Sequence, residues 1–263
     1  MRKLKGLLLP IIIIFIWSVF SRLGMVNSFI LPSPESILHT GFALLKKGIL
    51  LKHLGVSLLR VLFGFILAFI LAFPLAVVSG LNKKIHEYIE PSLEFIRHIP
   101  PIATIPLLIL WFGIGESSKL AVIILATFFP IYLNTYTGVS ESSIDLEEVG
   151  VVFGYNKWDI FRRIILPQAM PSVLTGIQLG LGYSWRSLMG AELIAASSGI
   201  GYMIIEAEQL SRIDIIFVGI LVIGILGQFI DVIFIKLTDK YFRLGVKDSG
   251  KDRDKELVES IQY

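Results

Sequence analysis

Cysteine is absent from this chain of 263 residues, and histidine occurs only four times. Without cysteine there are no disulfide bonds and no thiolate ligands for zinc. The histidines are scattered through loops and the edges of apolar runs, where no paired carboxylates accompany them. Enzymes place such groups together for acid–base or metal chemistry. We therefore expect neither an enzyme nor a metal or cofactor site.

Charge is scarce as well. Charged residues make up 17% of the chain and hydrophobic residues 54%, whereas soluble domains carry about 25% charged residues. The apolar residues form six runs close to the ~20 residues that a helix needs to cross a ~30 Å hydrocarbon core. They do not alternate with polar residues as barrel strands do. The sequence predicts an all-α membrane protein with about six transmembrane helices, near 7–24, 58–80, 99–115, 119–138, 172–195 and 214–236.

Two of these runs are atypical. The first follows a basic start, as in a secretory signal peptide, but no small-x-small cleavage pattern comes after it. We expect it to remain as the first span. The third, "PPIATIPLLILWFGIG", is short and interrupted by proline, which kinks or breaks helices.

The distribution of lysine and arginine predicts the orientation. Cytoplasmic loops of membrane proteins are enriched in these residues. If the N-terminus is inside, the cytoplasmic segments hold most of the 24 in this chain. Both termini are therefore predicted to be cytoplasmic. This asymmetry largely accounts for the net charge of +3, so a nucleic acid partner is not expected.

Polar segments flank the core spans at 58–236. Ser33 and Pro34 are typical of a helix start, and an amphipathic helix at 34–54 is predicted to lie at the outer surface. The cytoplasmic tail at 237–263 contains "GVKDSGK", but a phosphate-binding loop needs Ser or Thr after the lysine, where this chain has Asp252. No nucleotide site is predicted, and 1–263 is expected to be a single transmembrane domain.

A charged stretch at 139–171 separates the fourth and fifth runs on the predicted cytoplasmic side. Ser143 can cap a helix with an acidic first turn, and Gly154 can end that helix with a positive φ. Asn156 can then cap a second helix, with Asp159 at its third position in a variant of the capping box. The sequence predicts two short helices joined at a glycine.

The second of these helices has an apolar face formed by Trp158, Phe161 and Ile165. Pro167 and Pro171 are predicted to stop it before the fifth span begins. Exposed aromatic side chains on a loop indicate a contact surface. They lie against the membrane interface, or they dock into another protein. The residues by themselves leave both alternatives open.

Five positions of this stretch have the spacing of a known motif, E-A-A-x-x-x-G-x9-I-x-L-P. The stretch therefore resembles the cytoplasmic loop that carries this motif in permease subunits of bacterial ABC importers. Valine and glycine replace the two alanines, which is expected to loosen the first helix. The matched positions are Glu148, Gly154, Ile164, Leu166 and Pro167.

The resemblance extends over most of the chain. Stretches such as "SLLRVLFGFILA", "FFPIYLNTYTGV" and "MGAELIAASSGIGYMI" are similar to the branch that imports nitrate, sulfonates, taurine, bicarbonate and certain pyrimidines. This implies the type I ABC importer permease fold. It also implies two permease copies, a homodimer, with two ATPase subunits and an extracytoplasmic substrate-binding protein. The resemblance further implies that this loop couples ATP hydrolysis to transport. The residues that would do so are Glu148, Gly154, Trp158, Phe161, Ile164, Leu166 and Pro167.

The implied function is a permease subunit that forms the substrate pathway for a small anion, such as a sulfonate, taurine, nitrate or bicarbonate, while its partner hydrolyses ATP. The same class of importer for a pyrimidine or another small nutrient is an alternative. A self-contained secondary transporter is a further one, although such folds usually contain internal repeats, and we find none here.

Polar residues inside the spans are the candidates for the pathway. Arg186 and Glu192 are six positions apart in the fifth span, roughly 120° around a helix, so they cannot pair with each other. Arg186 is expected past the midplane, and Glu192 near the outer interface, partly solvated. For Arg186 we consider structural pairing or a place in the pathway, and for Asn134 an interhelical hydrogen bond or the pathway.

Overall fold

The computed structural model describes residues 2–25 and 27–260, with the backbone alone for 2–7, 237 and 239–260. The end of the predicted tail, 261–263, lies outside the described residues. The described residues form helices and no strands, as the sequence predicts. In chain order the helices are α1 (Arg2–Arg22), α2 (Pro34–Lys46), α3 (Ile49–Leu81), α4 (Lys83–Arg97), a 3-10 turn (Pro101–Thr104), α5 (Ile105–Phe112), α6 (Glu116–Ser140), α7 (Ile144–Val152), α8 (Lys157–Ile160), a π-helical turn (Phe161–Ile165), α9 (Leu166–Ala195), α10 (Ile200–Gln209) and α11 (Ile213–Ser260).

Several of these helices can cross a membrane. A bent pair formed by α4 and residues 101–112 can count as one additional span. The apolar part of α1, Leu8–Arg22, is shorter than the 18 residues required of a span. The all-α membrane architecture is confirmed, and five of the six predicted runs each correspond to a single helical stretch. The four stretches that are long and apolar enough by themselves, within the described residues, are Ile49–Leu81, Glu116–Ser140, Lys157–Gln209 and Ile213–Lys236.

The third predicted span, at 99–115, is wrong in its boundaries and shape. The pair that contains it is bent by 82°. Its first arm, α4, is capped by Asn82, whose side chain accepts hydrogen bonds from two backbone N–H groups of the first turn. Pro100 and Pro101 follow the end of the regular helix, because proline lacks an N–H and disfavours the α conformation of the residue before it. None of the α4 residues is buried within the described chain.

The boundary between α2 and α3 also differs from the prediction. Ser33 caps α2 as expected, with Oγ accepting from the Ser36 N–H at 3.1 Å. The helix stops at Lys46 instead of 54, and α3 starts at Ile49. Gly48 between them has φ +72°, which breaks the helix and which glycine adopts at little cost. The second span therefore begins nine residues before the predicted 58.

Helices α3, α6 and α9 form the centre of the bundle. Small residues on α3 (Ala68, Ala72 and Ala76) are fully buried. A Cβ at Gly176 of α9 would lie 2.9 Å from the Cβ of Asn134, so α6 and α9 are in direct contact there. Close approach at small residues is how membrane helices gain packing, since lipid provides no hydrophobic force between them.

Candidate functional site

Helix α7 starts at the predicted position, but other hydrogen bonds than the predicted side-chain cap stabilise its start. Ser143 occupies the N-cap position, yet its side chain makes no capping hydrogen bond. Instead its backbone N–H donates to Gln168 Oε1 at 3.1 Å, and Ser142 Oγ donates to Glu147 Oε1 at 2.6 Å. The prediction that the Ser143 hydroxyl caps α7 is wrong. The contact with Gln168 is long-range, so a local capping rule does not include it.

Gly154 ends α7 with φ +79°, as the sequence predicts. The Tyr155 N–H donates to the Gly150 carbonyl oxygen and the Gly154 N–H to that of Val151, both at 3.0 Å. This is the Schellman arrangement, in which a residue of positive φ lets the last carbonyl groups of a helix find donors. A Cβ at Gly154 would meet no atom within 4 Å, so conformation alone favours glycine there.

Gly150 is buried beneath the π-helical turn. A Cβ at this position would lie 2.7 Å from Ile164 Cδ1, so the absence of a side chain lets α7 lie against the following helix. Ile164 is half-buried by this contact. The glycine that stands where the motif has alanine is therefore a packing position in this chain.

The second short helix begins at the predicted cap. Asn156 Oδ1 accepts the N–H groups of Trp158 and Asp159, each at 2.9 Å. Asp159 makes no return bond to the cap among the described hydrogen bonds, and its carboxylate lies 3.6 Å from Arg163 Nε. The cap is confirmed, whereas the reciprocal bond of a capping box is not formed.

Pro167 and Pro171 do not stop this helix, and that prediction is wrong. From Lys157 to Ala195 the chain is helical without interruption, through the π-helical turn at Phe161–Ile165. Within it the Leu166 N–H donates to the Phe161 carbonyl oxygen, five residues back. A proline ring collides with the carbonyl four residues earlier in a regular helix, and a widened turn relieves this.

The exposed apolar surface differs from the predicted one. Ile165 is only 3% exposed and belongs to the core with Val173, so its assignment to the exposed face is wrong. Phe161 is half-buried, with its ring 5.6 Å from that of Trp158. Trp158 and Phe153, the residue directly after α7, are 66% and 75% exposed. Among the other motif positions, Glu148 and Pro167 are exposed and Leu166 is half-buried.

A cavity of about 530 Å³ lies between the turn after α4, α6 and α9. Its lining is mostly apolar, and it contains the predicted pathway residues Arg186 and Asn134 but not Glu192. Asn134 Nδ2 donates to the Pro130 carbonyl oxygen at 2.8 Å, a bond within α6 and not between helices. The structure therefore brings together only two of the three pathway candidates.

Arg186 is exposed to this cavity and has no ion pair within the described part of the chain. Its Nε donates to the Gly182 carbonyl oxygen at 3.1 Å. Its guanidinium carbon lies 5.2 Å from the ring centroid of Tyr183. Arg97 also lines the cavity, with its charge 3.3 Å from Glu94. A cation without a carboxylate partner can bind an anion.

Glu192 is fully buried, at 1% exposure, so the expectation that it is partly solvated is wrong. It accepts a hydrogen bond at 2.8 Å from Arg60 Nη1 of α3, a residue the sequence analysis did not select. The sequence contained a signal for this pair, because charged residues inside membrane spans usually pair with one another. The partner was 132 residues away in sequence, and only the packing of α3 on α9 identifies it.

Comparison with known proteins assigns this architecture. Residues 61–241 match the family described as the inner membrane component of binding-protein-dependent transport systems. The chain belongs to this family. It is therefore a multi-pass inner membrane permease subunit of an ABC transporter, with the permease fold that its sequence resemblance implies.

Relatives in this permease family are similar over nearly the whole chain. SsuC of Bacillus subtilis, named for aliphatic sulfonates transport, is 41% identical over 92% of this chain and 84% of its own length. TauC of Escherichia coli, named a taurine transport system permease, is 31% identical over 82% and 80%. CmpB of Synechococcus elongatus, named a bicarbonate transport system permease, is 30% identical over 88% and 87%.

A solved permease has the same fold. A chain from inward-facing structures of the MetNI methionine ABC transporter superposes with a TM-score of 0.55, covering 68% of this chain and 91% of that one. The sequence identity is 16%, so this likeness supports the fold alone.

Proposed function

We propose that this permease imports a small anion of the sulfonate, taurine, nitrate or bicarbonate type. The observation that carries the proposal is Arg186, which faces a mostly apolar cavity without a carboxylate partner in the described residues. The volume of this cavity, about 530 Å³, lies within the ~300–1,000 Å³ typical of small-molecule sites. An aliphatic sulfonate fits this lining, because its oxygens can accept from the guanidinium while its carbon chain contacts apolar walls.

Two copies of the chain form the pathway in this proposal. The α4 arm has no buried residue within the described chain, and Phe95 of α4 and Trp111 of α5 are 72% and 65% exposed. A second copy would cover this surface, and the two cavities would face each other at the centre of a homodimer. An extracytoplasmic binding protein delivers the substrate, and lipid covers the remaining apolar faces.

The stretch 139–171 is proposed to dock into an ATPase subunit, one for each permease copy. Phe153 and Trp158 are exposed on it, and Phe153 also lines a hollow of about 480 Å³ between α7 and the helix after it. Burying these two side chains contributes about 1.5–3 kcal/mol each. The motif residues Gly154, Ile164, Leu166 and Pro167 set the shape of this surface, Phe161 supports Trp158, and the exposed Glu148 can pair with the partner.

The orientation follows the charge distribution, with 139–171 and both termini in the cytoplasm. The whole chain, 1–263, acts as one permease domain. ATP hydrolysis belongs to the partner, since the chain has no phosphate-binding loop of its own, and no cofactor is involved.

Reconstitution tests the substrate. The permease, with its cognate ATPase and binding protein, is placed in proteoliposomes, and ATP-dependent uptake of labelled taurine, an alkanesulfonate, nitrate, bicarbonate and a pyrimidine is measured. We expect uptake of one of the anions. Uptake of the pyrimidine alone would replace the anion proposal by the alternative, and uptake without the ATPase would indicate a secondary transporter.

A further inference from the structure

The guanidinium of Arg60, on α3, uses all five of its N–H groups. Nε and Nη2 donate to the two carboxylate oxygens of Glu116, each at 2.6 Å. Nη1 donates to Glu192 Oε1 at 2.8 Å and to the Ser198 carbonyl oxygen at 2.6 Å, and Nη2 also donates to Ser198 Oγ at 3.1 Å. One side chain thus joins α3 to the first residue of α6, the end of α9 and the loop before α10.

The Glu192 carboxylate completes this junction. It accepts from Ser57 Oγ at 2.9 Å and from the Gly201 N–H at 2.9 Å. The backbone of Gly199, with φ +113°, packs so closely that a Cβ there would overlap the Glu192 carboxylate. The Gly199 N–H donates to His53 Nδ1 at 3.1 Å. The α9–α10 loop is therefore fixed to α3 at several separate atoms.

The junction lies at the opposite end of the bundle from α7 and α8, and one helix connects the two ends. Trp158 and Glu192 belong to the same uninterrupted helical stretch, separated by about 50 Å at 1.5 Å per residue. The π-helical turn preserves this continuity through Pro167. A displacement of α8 can therefore reach Glu192 along a helix without passing through a loop.

We propose that Arg60 is a positioning residue for transport, which makes the outer ends of α3, α6, α9 and the α9–α10 loop one rigid unit driven by the helix from Trp158 to Glu192. The proposal rests on the docking of 139–171 to the ATPase. The helix from Trp158 to Glu192 can move α3 and α6 only if its Glu192 end is bonded to them. The Arg60 side chain of α3 makes these bonds, to Glu192 and to Glu116 of α6. Without it, the loop would absorb the movement.

Spin labels test the rigidity directly, because the chain has no cysteine of its own. Ser117 and Ser197 are exposed positions beside the junction, and both are changed to cysteine and labelled in one permease copy diluted with unlabelled chains. In the full complex we expect the distance between these labels to agree within about 2 Å in the nucleotide-free and ATP-trapped states. A change of several ångströms would show that the junction opens during transport and would overturn the proposal.

The same measurement in Arg60→Gln should give a broadened distance distribution. Transport and binding-protein-stimulated ATP hydrolysis should fall about tenfold or more. This variant also leaves a buried carboxylate without its cation, which lowers thermal stability whatever Arg60 does in transport. Arg60→Gln/Glu192→Gln separates the two effects, because it removes the unpaired buried charge at 192. Glu116 then keeps only Lys119 of its own helix as a partner, and Ser198 loses the hydrogen bonds that Arg60 donates.

We expect the double variant to recover the melting temperature of the wild-type complex but not its transport rate. Recovery of both would mean that Arg60 only balances charge, and the positioning role would be wrong. The docking proposal fails separately: full retention of the ATPase by the Trp158→Ala and Phe153→Ala variants would contradict docking, while the label distances would still report on Arg60.

Discussion

Gly138 in α6 lies directly against Ala169 in α9, so closely that a Cβ at 138 would be 2.9 Å from the Ala169 carbonyl oxygen. The same Cβ would be 2.8 Å from the Cβ of Ser172. Neither atom can move away without moving the α9 backbone. The contact joins the two helices just before the chain enters 139–171, so it positions the start of that segment.

Gly138→Ala should therefore separate α6 from α9 and lower stability by about 1–3 kcal/mol, the usual cost of overpacking. Gly55→Ala is the matched control, since a Cβ at Gly55 in α3 would meet nothing within 4 Å. Thermal unfolding of the detergent-solubilised permease compares the two. Equal melting temperatures for both variants would contradict the close contact.

Gly154→Val should insert normally but lose coupling. The positive φ costs a β-branched residue about 1–3 kcal/mol, and relaxing it would displace Tyr155 and the following helix. Gly154→Asn is the control, because asparagine adopts positive φ more readily and the site has room for a side chain. Substrate-stimulated ATP hydrolysis by the complex is measured. Similar loss in both variants would mean that space, not conformation, selects glycine.

Trp158→Ala and Phe153→Ala should weaken binding of the ATPase subunit without lowering the stability of the permease, since both side chains are largely exposed. Ile165→Ala should do the reverse, losing about 2–5 kcal/mol of stability, because Ile165 lies in the core. Co-purification of the ATPase and thermal unfolding are measured for each variant. Full retention of the ATPase by the Trp158 and Phe153 variants would exclude this surface as the docking site.

Arg186→Gln should assemble normally and lose anion uptake by at least about tenfold, because the guanidinium has no carboxylate to stabilise in the described residues. Arg186→Lys should retain part of the uptake, since it keeps the charge but not the bidentate geometry. Uptake is compared with melting temperature. Wild-type uptake by Arg186→Gln, or failure of that variant to assemble, would contradict a place in the pathway.

Reporter fusions should place residues near 90, 155 and 250 in the cytoplasm and residues near 40, 116 and 203 outside. The physical reason is the excess of lysine and arginine on one set of loops. Fusions of a phosphatase, active only outside, and of a fluorescent protein, active only inside, give opposite readouts. A fusion at 155 that reports the outside would contradict docking to an ATPase.

The sequence was most informative about 139–171. Gly154 and Asn156 act through hydrogen bonds within a few residues, so local rules predicted the positive φ and the cap correctly. Ser143 and Pro167 failed because their outcomes depend on neighbours: Gln168 binds the first, and a widened turn accommodates the second. The role of this segment in coupling stays a prediction, based on the motif.

The charged residues inside the apolar runs show most clearly what the sequence predicts and what only the tertiary structure decides. Composition and apolar runs determined by themselves that the chain is a helical membrane protein, because backbone in lipid must satisfy its own hydrogen bonds. The motif spacing indicated the permease family. Only the tertiary structure decided that Glu192 is buried against Arg60 while Arg186 is exposed to a cavity. All three charges lie in apolar runs, and what distinguishes them is which helix packs beside each one.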